Sequence, residues 1–442
     1  MSAEPTTAPP ADGSDAAPRT PSAVTDPRAG RRRVVSGVLI VVTGLVAILA
    51  WGIGANPGVA AFAVSSTSDT VRIPVIRIPG GTVAIVLGAV IVALGVWQLA
   101  RGFSRPAMRW VVGAVILLFA LAFLCWAATG QPGTPIDLLG ALQLSIFAAT
   151  PLVLGALAGI VGERSGVINV AIEGQLLAGA FAGALFATVT SSLGLGIVAA
   201  ALAGALIGAL LAVFSIRYLV NQVVLGVVLN LLVLGLTSYL YHALMQEDAQ
   251  TYNSPGVLSP IRIPGLADIP VLGPLLFDAN IIVYLMYVLI VVIDVGLFRT
   301  RWGLRTRAVG EHPRAADTVG IDVRRIRYRN VVLAGLVAGL GGAFLSIGAV
   351  GAFSANMSSG KGFIALAAVI FGRWSPRGAV AAALLFGFTN ELQVLLTVVG
   401  TPVHIPSAFL AMLPYLVTLV AVAGLVGRVR APAADGVPYA AE

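Results

Sequence analysis

Nine polar side chains stand inside runs of the chain that are otherwise apolar, and they fall into three groups. Asn169, Glu173 and Gln175 open one run, Asn221, Gln222 and Asn230 lie along a second, and Asn390, Glu391 and Gln393 sit in a third. Between them, amides and carboxylates donate and accept hydrogen bonds, which is the chemistry needed to hold a polar solute. Each is costly in an apolar medium unless it faces protein or water. Two readings therefore stand: the set lines a polar path, or its members tie helices together. Asp294, close to Arg299 and Arg301, reads as one half of a structural ion pair.

Catalytic arrangements are absent from the pattern. His242, His312 and His404 are scattered without metal-ligand spacing, and neither Ser165 nor Ser375 sits in a G-x-S-x-G elbow. Cys125 is the single cysteine, inside an apolar run, and reads as a small buried residue. A phosphate-cradling loop needs G-x-x-x-x-G-K-[ST]. The only lysine, Lys361, follows Gly360, but Ala355 holds the place of the first Gly and Gly362 that of the Ser or Thr. No cofactor or metal is expected in this chain, and it is not read as an enzyme.

The elements that position these residues follow from composition. Of 442 residues, 58% are hydrophobic and 10% charged, with a mean hydropathy of +0.96. A soluble domain carries about 25% charged residues, so the solvent for this fold is lipid. The expected fold class is all-α, a polytopic membrane helix bundle. Twelve crossings are expected, at 34–54, 82–100, 110–128, 137–161, 169–189, 195–214, 222–243, 280–298, 330–350, 361–372, 378–398 and 406–427. The tenth is too short to span alone and reads as a broken helix whose irregular start lies near Ala352, tolerable only where protein or a wet cavity surrounds it.

The net charge of +8 is a matter of topology. With the N-terminus inside, 23 of the 27 basic residues fall on the cytoplasmic side, and only Arg72, Arg77, Arg262 and Lys361 fall outside. No folded polar face carries the charge, so no nucleic acid is expected as a partner. The reading is a multi-pass protein of the bacterial cytoplasmic membrane with both termini inside. It divides into a disordered tail (1–33), an added transmembrane hairpin (34–109), a core (110–427) and a cytoplasmic tail (428–442).

Glycines recur at a spacing of four, as Gly155 and Gly159, Gly179 and Gly183, Gly204 and Gly208, and Gly335 and Gly339. Such ridges let helices approach closely in lipid. Spans 3–7 and 8–12 are two sets of five, so the second would run in the opposite sense, giving a core of about ten spans as a 5+5 inverted repeat with interrupted helices. Such repeats place a substrate path at their interface near mid-membrane.

The longest cytoplasmic loop, 299–329, holds nine arginines. Pro313 suits a first helical turn, Arg314 to Thr318 can form a short helix, and Gly320 would end it. The stretch Gly310–Val323 (GEHPRAADTVGIDV) resembles the coupling loop of ABC importer permeases of the branched-chain amino acid, ribose and nucleoside superfamily. Gly162–Gln175 (GERSGVINVAIEGQ), Gln222–Asn230 (QVVLGVVLN) and Gly362–Pro376 (GFIALAAVIFGRWSP) are similar to it in the same order. Their spacing most resembles the shorter of two permeases in bacterial nucleoside importers of the guanosine type. The resemblance covers about residues 137–427 and leaves 1–136 outside it.

What the resemblance implies is a permease subunit translocating nucleosides or a related small polar solute, with energy from a separate ATPase subunit. The ATPase-coupling segment would be Gly310, Glu311, His312, Pro313, Arg314, Ala315, Ala316 and Gly320. A second related permease, an extracytoplasmic substrate-binding lipoprotein and membrane lipid would be its partners. The three polar groups would be the substrate path, their amides and carboxylates suiting the hydroxyls and base edges of a nucleoside. The alternatives are an ABC permease for sugars and an ion-coupled secondary transporter, for which Glu173 and Glu391 are the plausible proton carriers.

Overall fold

A backbone that crosses lipid must satisfy its own hydrogen bonds, so apolar runs of about 20 residues have to be helical. A computed structural model of the chain describes residues 27–54, 58–65, 73–129, 135–400, 405–416 and 430–440. Ten of its helices are long and apolar enough to cross a membrane, and Lys361–Phe371 and Ser407–Leu416 are shorter apolar helices. The protein is thus a polytopic helical membrane protein. The remainder of the twelfth expected span and most of the expected disordered tail (1–26) lie outside the described residues.

In chain order the elements are α1 (Pro27–Val46), β1 (Val59–Ala63), β2 (Ile76–Pro79), α2 (Gly80–Ala100), α3 (Arg105–Ala128), β3 (Ile136–Asp137), α4 (Leu138–Glu163), α5 (Ile172–Val189), α6 (Leu193–Ala212), α7 (Gln222–Leu240) and α8 (Ala249–Tyr252). They continue with β4 (Ile261–Arg262), α9 (Leu272–Phe277), β5 (Asp278–Ala279), α10 (Ile281–Arg299), α11 (Arg301–Glu311), α12 (Pro313–Thr318), α13 (Val323–Ala343), α14 (Lys361–Phe371), α15 (Pro376–Val399) and α16 (Ser407–Leu410). The starts are written locally. Asp137, Asn221, Asn280, Thr300 and Asp322 each accept a first-turn N–H of α4, α7, α10, α11 and α13 respectively.

The chain forms two compact units, residues 1–58 with 79–129 and residues 59–78 with 130–442. In the first, α1 and α2 pack along glycines. The helix begins at Pro27 rather than Val34, because proline suits a first helical position and arginine is a good helix former. Arg33 donates to the free C-terminal carbonyls of Gln98 (3.1 Å), Leu99 (2.8 Å) and Ala100. Helix α3 belongs to this unit, where Trp51 meets its Phe119 in a tilted contact with ring centroids 4.3 Å apart.

The second unit is built on α4 and α13, which run antiparallel in contact: Gly341 lies against Leu154 and Pro151, and Gly162 near Ala334. The packing around them is reciprocal. Helix α6 lies on α13 and α15 on α4, while α5 packs with α6 and α14 with α15. Along the α6–α13 seam there is no room for a side chain. A Cβ on Gly204 would meet Gly335 and Gly339, and one on Gly208 would sit 2.7 Å from the Val331 carbonyl. All four glycine pairs singled out by spacing lie at helix contacts; a Cβ on Gly155 or Gly159 would sit 2.8 Å from Ala365 or Val369 of α14 respectively.

Helices α5 and α14 both begin inside the bundle. Ile172, the first residue of α5, packs against Gly155 and Gly159 of α4. That is eight residues before the end of α4 at its far limit, or about 12 Å at 1.5 Å per residue. The loop between α7 and α10 holds the segment leading into α14. Asn253 exchanges two hydrogen bonds with the Phe353 backbone (2.7 and 2.9 Å), and Asn280 donates to the Gly348 carbonyl at 2.9 Å.

Candidate functional site

Two helix N-termini meet at one carboxylate. Glu173, in the first turn of α5, accepts from the Ser358 hydroxyl at 2.6 Å, from Gly360 N–H at 2.8 Å and from Gly362 N–H at 2.6 Å. Free N–H groups and the helix dipole make a helix start electropositive, so two such ends facing each other need an anion. Glu173 supplies it. With three donors pointing at it, the side chain acts as an acceptor bridging α5 to α14. Gly362 has no side chain because Glu173 occupies the space a Cβ would need.

The other polar residues of α5 and α7 fasten the turn that carries α5. Asn169 and Gln175 pair with each other at 3.0 and 3.2 Å. Gln222 accepts from Ile168 N–H at 2.7 Å. Asn230 accepts from Gly174 N–H at 2.8 Å and donates to the Val170 carbonyl at 2.9 Å. Asn221 caps α7. The bonds of Asn221, Gln222 and Asn230 satisfy backbone groups in and beside a segment where the helix is broken, as buried irregular backbone requires.

The third group lies elsewhere. Asn390, Glu391 and Gln393 line a cavity of about 1170 Å³, whose wall also includes Ser354, Ser359 and Lys361 at and just before the start of α14. Lys361 follows immediately on the Gly360 N–H that Glu173 holds, so the Glu173 bridge sits directly behind this wall. The rest of the lining is apolar and includes the aromatic residues Phe147, Phe344, Phe363, Phe386 and Tyr415. Phe147 and Phe344 meet edge-to-face at 5.3 Å. The cavity is large enough to admit a small organic solute.

Local irregularities shape that wall. Pro151 lies inside α4 and lacks an N–H, so the Phe147 carbonyl one turn earlier loses its helical donor. Opposite, α13 ends in a π-helical turn, Phe344–Val350, whose Phe344, Leu345, Ala349 and Val350 line the cavity. Sequence reasoning did not single out Lys361, Ser354, Ser359 or the aromatic residues as site residues. The readable signals were a proline inside an apolar run and the only lysine of the chain.

At the opposite end of α4 is the arginine-rich loop. Gly310 and Glu311 end α11, His312 follows, Pro313 to Ala316 form α12, and Gly320 turns the chain with φ +81°. Glu311, His312, Arg314 and Ala315 are exposed, while Ala316 is buried against Val309, Val323 and Ile326. Helix α11 was not expected. It is anchored by Trp302, which donates to Asn330 of α13 at 3.0 Å, while Asn330 donates to Thr306 at 3.0 Å. Asp294 does form an ion pair, but with Arg377 of α15 at 2.8 Å and not with Arg299 or Arg301. Its side chain points from α10 across to α15, away from its own loop.

The segment 430–440 docks on this face. Arg327, almost fully buried, donates to the Ser165 and Val437 carbonyls at 3.1 and 3.0 Å. Burial pushes the Asp435 carboxyl up to about 7, against the opposing pull of Arg327.

Compared with known proteins, residues 141–422 match the family described as the permease component of the branched-chain amino acid transport system. The chain is 42% identical to a guanosine ABC transporter permease protein of Bacillus subtilis, over 66% of this chain and 93% of that one. It is 38% identical to a nucleoside ABC transporter permease protein of Lactococcus lactis, with the same coverage. A putative glucose ABC transporter permease protein of Haloferax volcanii is 35% identical over 58% of this chain and 77% of its own. No solved structure matches the chain.

Proposed function

Because the chain belongs to the permease family of branched-chain amino acid transport systems, we propose that it forms the membrane pathway of an ATP-driven importer whose solute is a nucleoside. The observation that carries this reading is the cavity beside the α5–α14 junction. Every residue lining it falls inside the family match of 141–422, and the guanosine and nucleoside permeases resemble the chain over 93% of their lengths.

The lining suits that solute class. Aromatic faces stack on a flat base, and amide, carboxylate and ammonium groups of the lining donate to and accept from ring edges and ribose hydroxyls. Asn390, Glu391 and Gln393 are the residues in this reading that contact solute. Asn169, Glu173, Gln175, Asn221, Gln222 and Asn230 act one step back, holding the two interrupted helices that border the path.

Energy enters from outside the chain. A separate ATPase subunit docks on Gly310, Glu311, His312, Pro313, Arg314, Ala315, Ala316 and Gly320, a second related permease completes the pathway, and an extracytoplasmic lipoprotein delivers solute. Both termini lie on the cytoplasmic side. No cofactor belongs to this chain.

The test is co-purification from the native membrane in mild detergent, followed by reconstitution. Recovery of an ATPase and a second permease, with ATP-dependent uptake of labelled guanosine that excess unlabelled glucose leaves intact, is the expected result. Competition by glucose and not by nucleosides would make the solute a sugar. Ion-driven uptake by this chain alone would overturn the importer reading.

A further inference from the structure

The segment 430–440 has no helix of its own, yet five of its residues reach four other elements. Ala433 N–H donates to Glu311 at 3.2 Å and Ala434 N–H to the Gly310 carbonyl at 2.9 Å, both at the end of α11. The Val437 carbonyl accepts from Arg327 of α13 at 3.0 Å. The Tyr439 hydroxyl donates to Asp317 of α12 at 2.6 Å, and its ring is buried with Val309, Ala316, Val323 and Ile326. Ala434 and Gly436 lie against Gly166 and Ile168, in the turn between α4 and α5.

The same segment finishes a surface. Asp317, Gly320, Asp322, Arg324 and Tyr439 line a notch of about 300 Å³ beside α12. Without Tyr439 that notch has no wall on the tail side, and α12 would rest on α13 through Ala316 and its neighbours alone.

We infer that residues 433–439 are a strap that completes the docking surface for the cytosolic subunit and ties it to the α4–α5 turn. Displacement of α12 then pulls on Tyr439, Val437 and Ala434 in turn, and through Gly166 and Ile168 on the segment that leads into α5 and its Glu173 bridge to α14. Arg327 is the fixed post, holding the strap through Val437 and the turn through Ser165. The inference rests on the importer reading for the identity of the docked subunit, while the tie itself rests on these contacts.

The experiment compares the full chain with three variants, each in the complex as purified: deletion of 431–442, Gly436→Ala and Tyr439→Phe. A Cβ at residue 436 would sit 2.6 Å from Ile168 at a φ of +75°, so Gly436→Ala unseats the strap without shortening the chain. Two quantities are read: amide hydrogen exchange in 164–170 and 310–318, and solute moved per ATP hydrolysed. The expectation is exchange faster by about tenfold in both segments for the deletion and for Gly436→Ala, with solute moved per ATP falling at least about fivefold and Tyr439→Phe intermediate. Unchanged exchange, or faster exchange with an unchanged transport ratio, overturns the inference. If the deletion does not fold, the two point variants decide. If the unaltered complex shows no ATP-linked uptake, the importer reading fails, and the exchange comparison alone decides whether the strap ties the two turns.

Discussion

At the scale of single residues, one pattern in the sequence, polar groups in apolar runs, turns out to hold two kinds of residue. Asn169, Gln175, Gln222 and Asn230 spend their hydrogen bonds on one another and on the backbone of a broken helix. Asn390, Glu391 and Gln393 line open space. Nothing in residue type separates the two, because an amide that pins a turn and an amide that meets a solute offer the same donors and acceptors. Glu173 shows what the difference means in energy. Replacing it by alanine leaves the Ser358 hydroxyl and the N–H groups of Gly360 and Gly362 unpaired in a buried place. We expect Glu173→Ala to lose about 2–4 kcal/mol of stability and Glu173→Gln, which keeps one acceptor, about half that. Thermal unfolding in detergent measures it, and a wild-type midpoint for the alanine variant would contradict the bridging role.

At the scale of elements, the four glycine pairs were legible by spacing and all lie at helix contacts. What spacing could not say was which helix each pair meets. The α6–α13 seam leaves no room for a side chain, with glycine facing glycine at Gly204 and Gly335. In lipid, association depends on this packing rather than on burial from water. Gly335→Leu forces α6 away from α13 and is expected to destabilise the core by about 1–3 kcal/mol or more, while Gly113→Leu in α3, where nothing lies within 4 Å of an added Cβ, changes stability by less than about 0.5 kcal/mol. Comparing the melting of the two variants checks the seam, and equal behaviour would argue against it. Helix α12 was readable from Pro313 and Gly320 because both act locally. Helix α11 was missed because arginine-rich sequence reads equally as loop, and its anchor, Trp302 on Asn330, bridges 28 positions.

At the scale of the whole molecule, the second unit is organised by two matching pieces, α4 turning into α5 and α13 turning into α14. Each has a full-length helix followed by one that starts inside the bundle, and the two starts share Glu173. For coupling, the prediction concerns the exposed face of α12. Arg314→Glu reverses a charge on the exposed face of α12 and touches nothing in the cavity. It is expected to reduce ATP-driven uptake at least about tenfold while the protein remains in the membrane at normal amount, because like charges across an interface cost several kcal/mol. Normal uptake by this variant would move the docking site away from α12.

The sequence by itself determined the class of molecule and the places where helices break. Length of apolar runs, arginine placement, glycine spacing and the Pro313–Gly320 pair are properties of a few adjacent residues, and lipid leaves a continuous apolar run no option but helix. The tertiary structure alone decided how distant breaks are used. Glu173 and Gly362 stand 189 positions apart, Arg327 and Val437 stand 110 apart, and the cavity is walled by residues from 144 to 415. Such pairings depend on how helices cross one another, which no local pattern of side chains records.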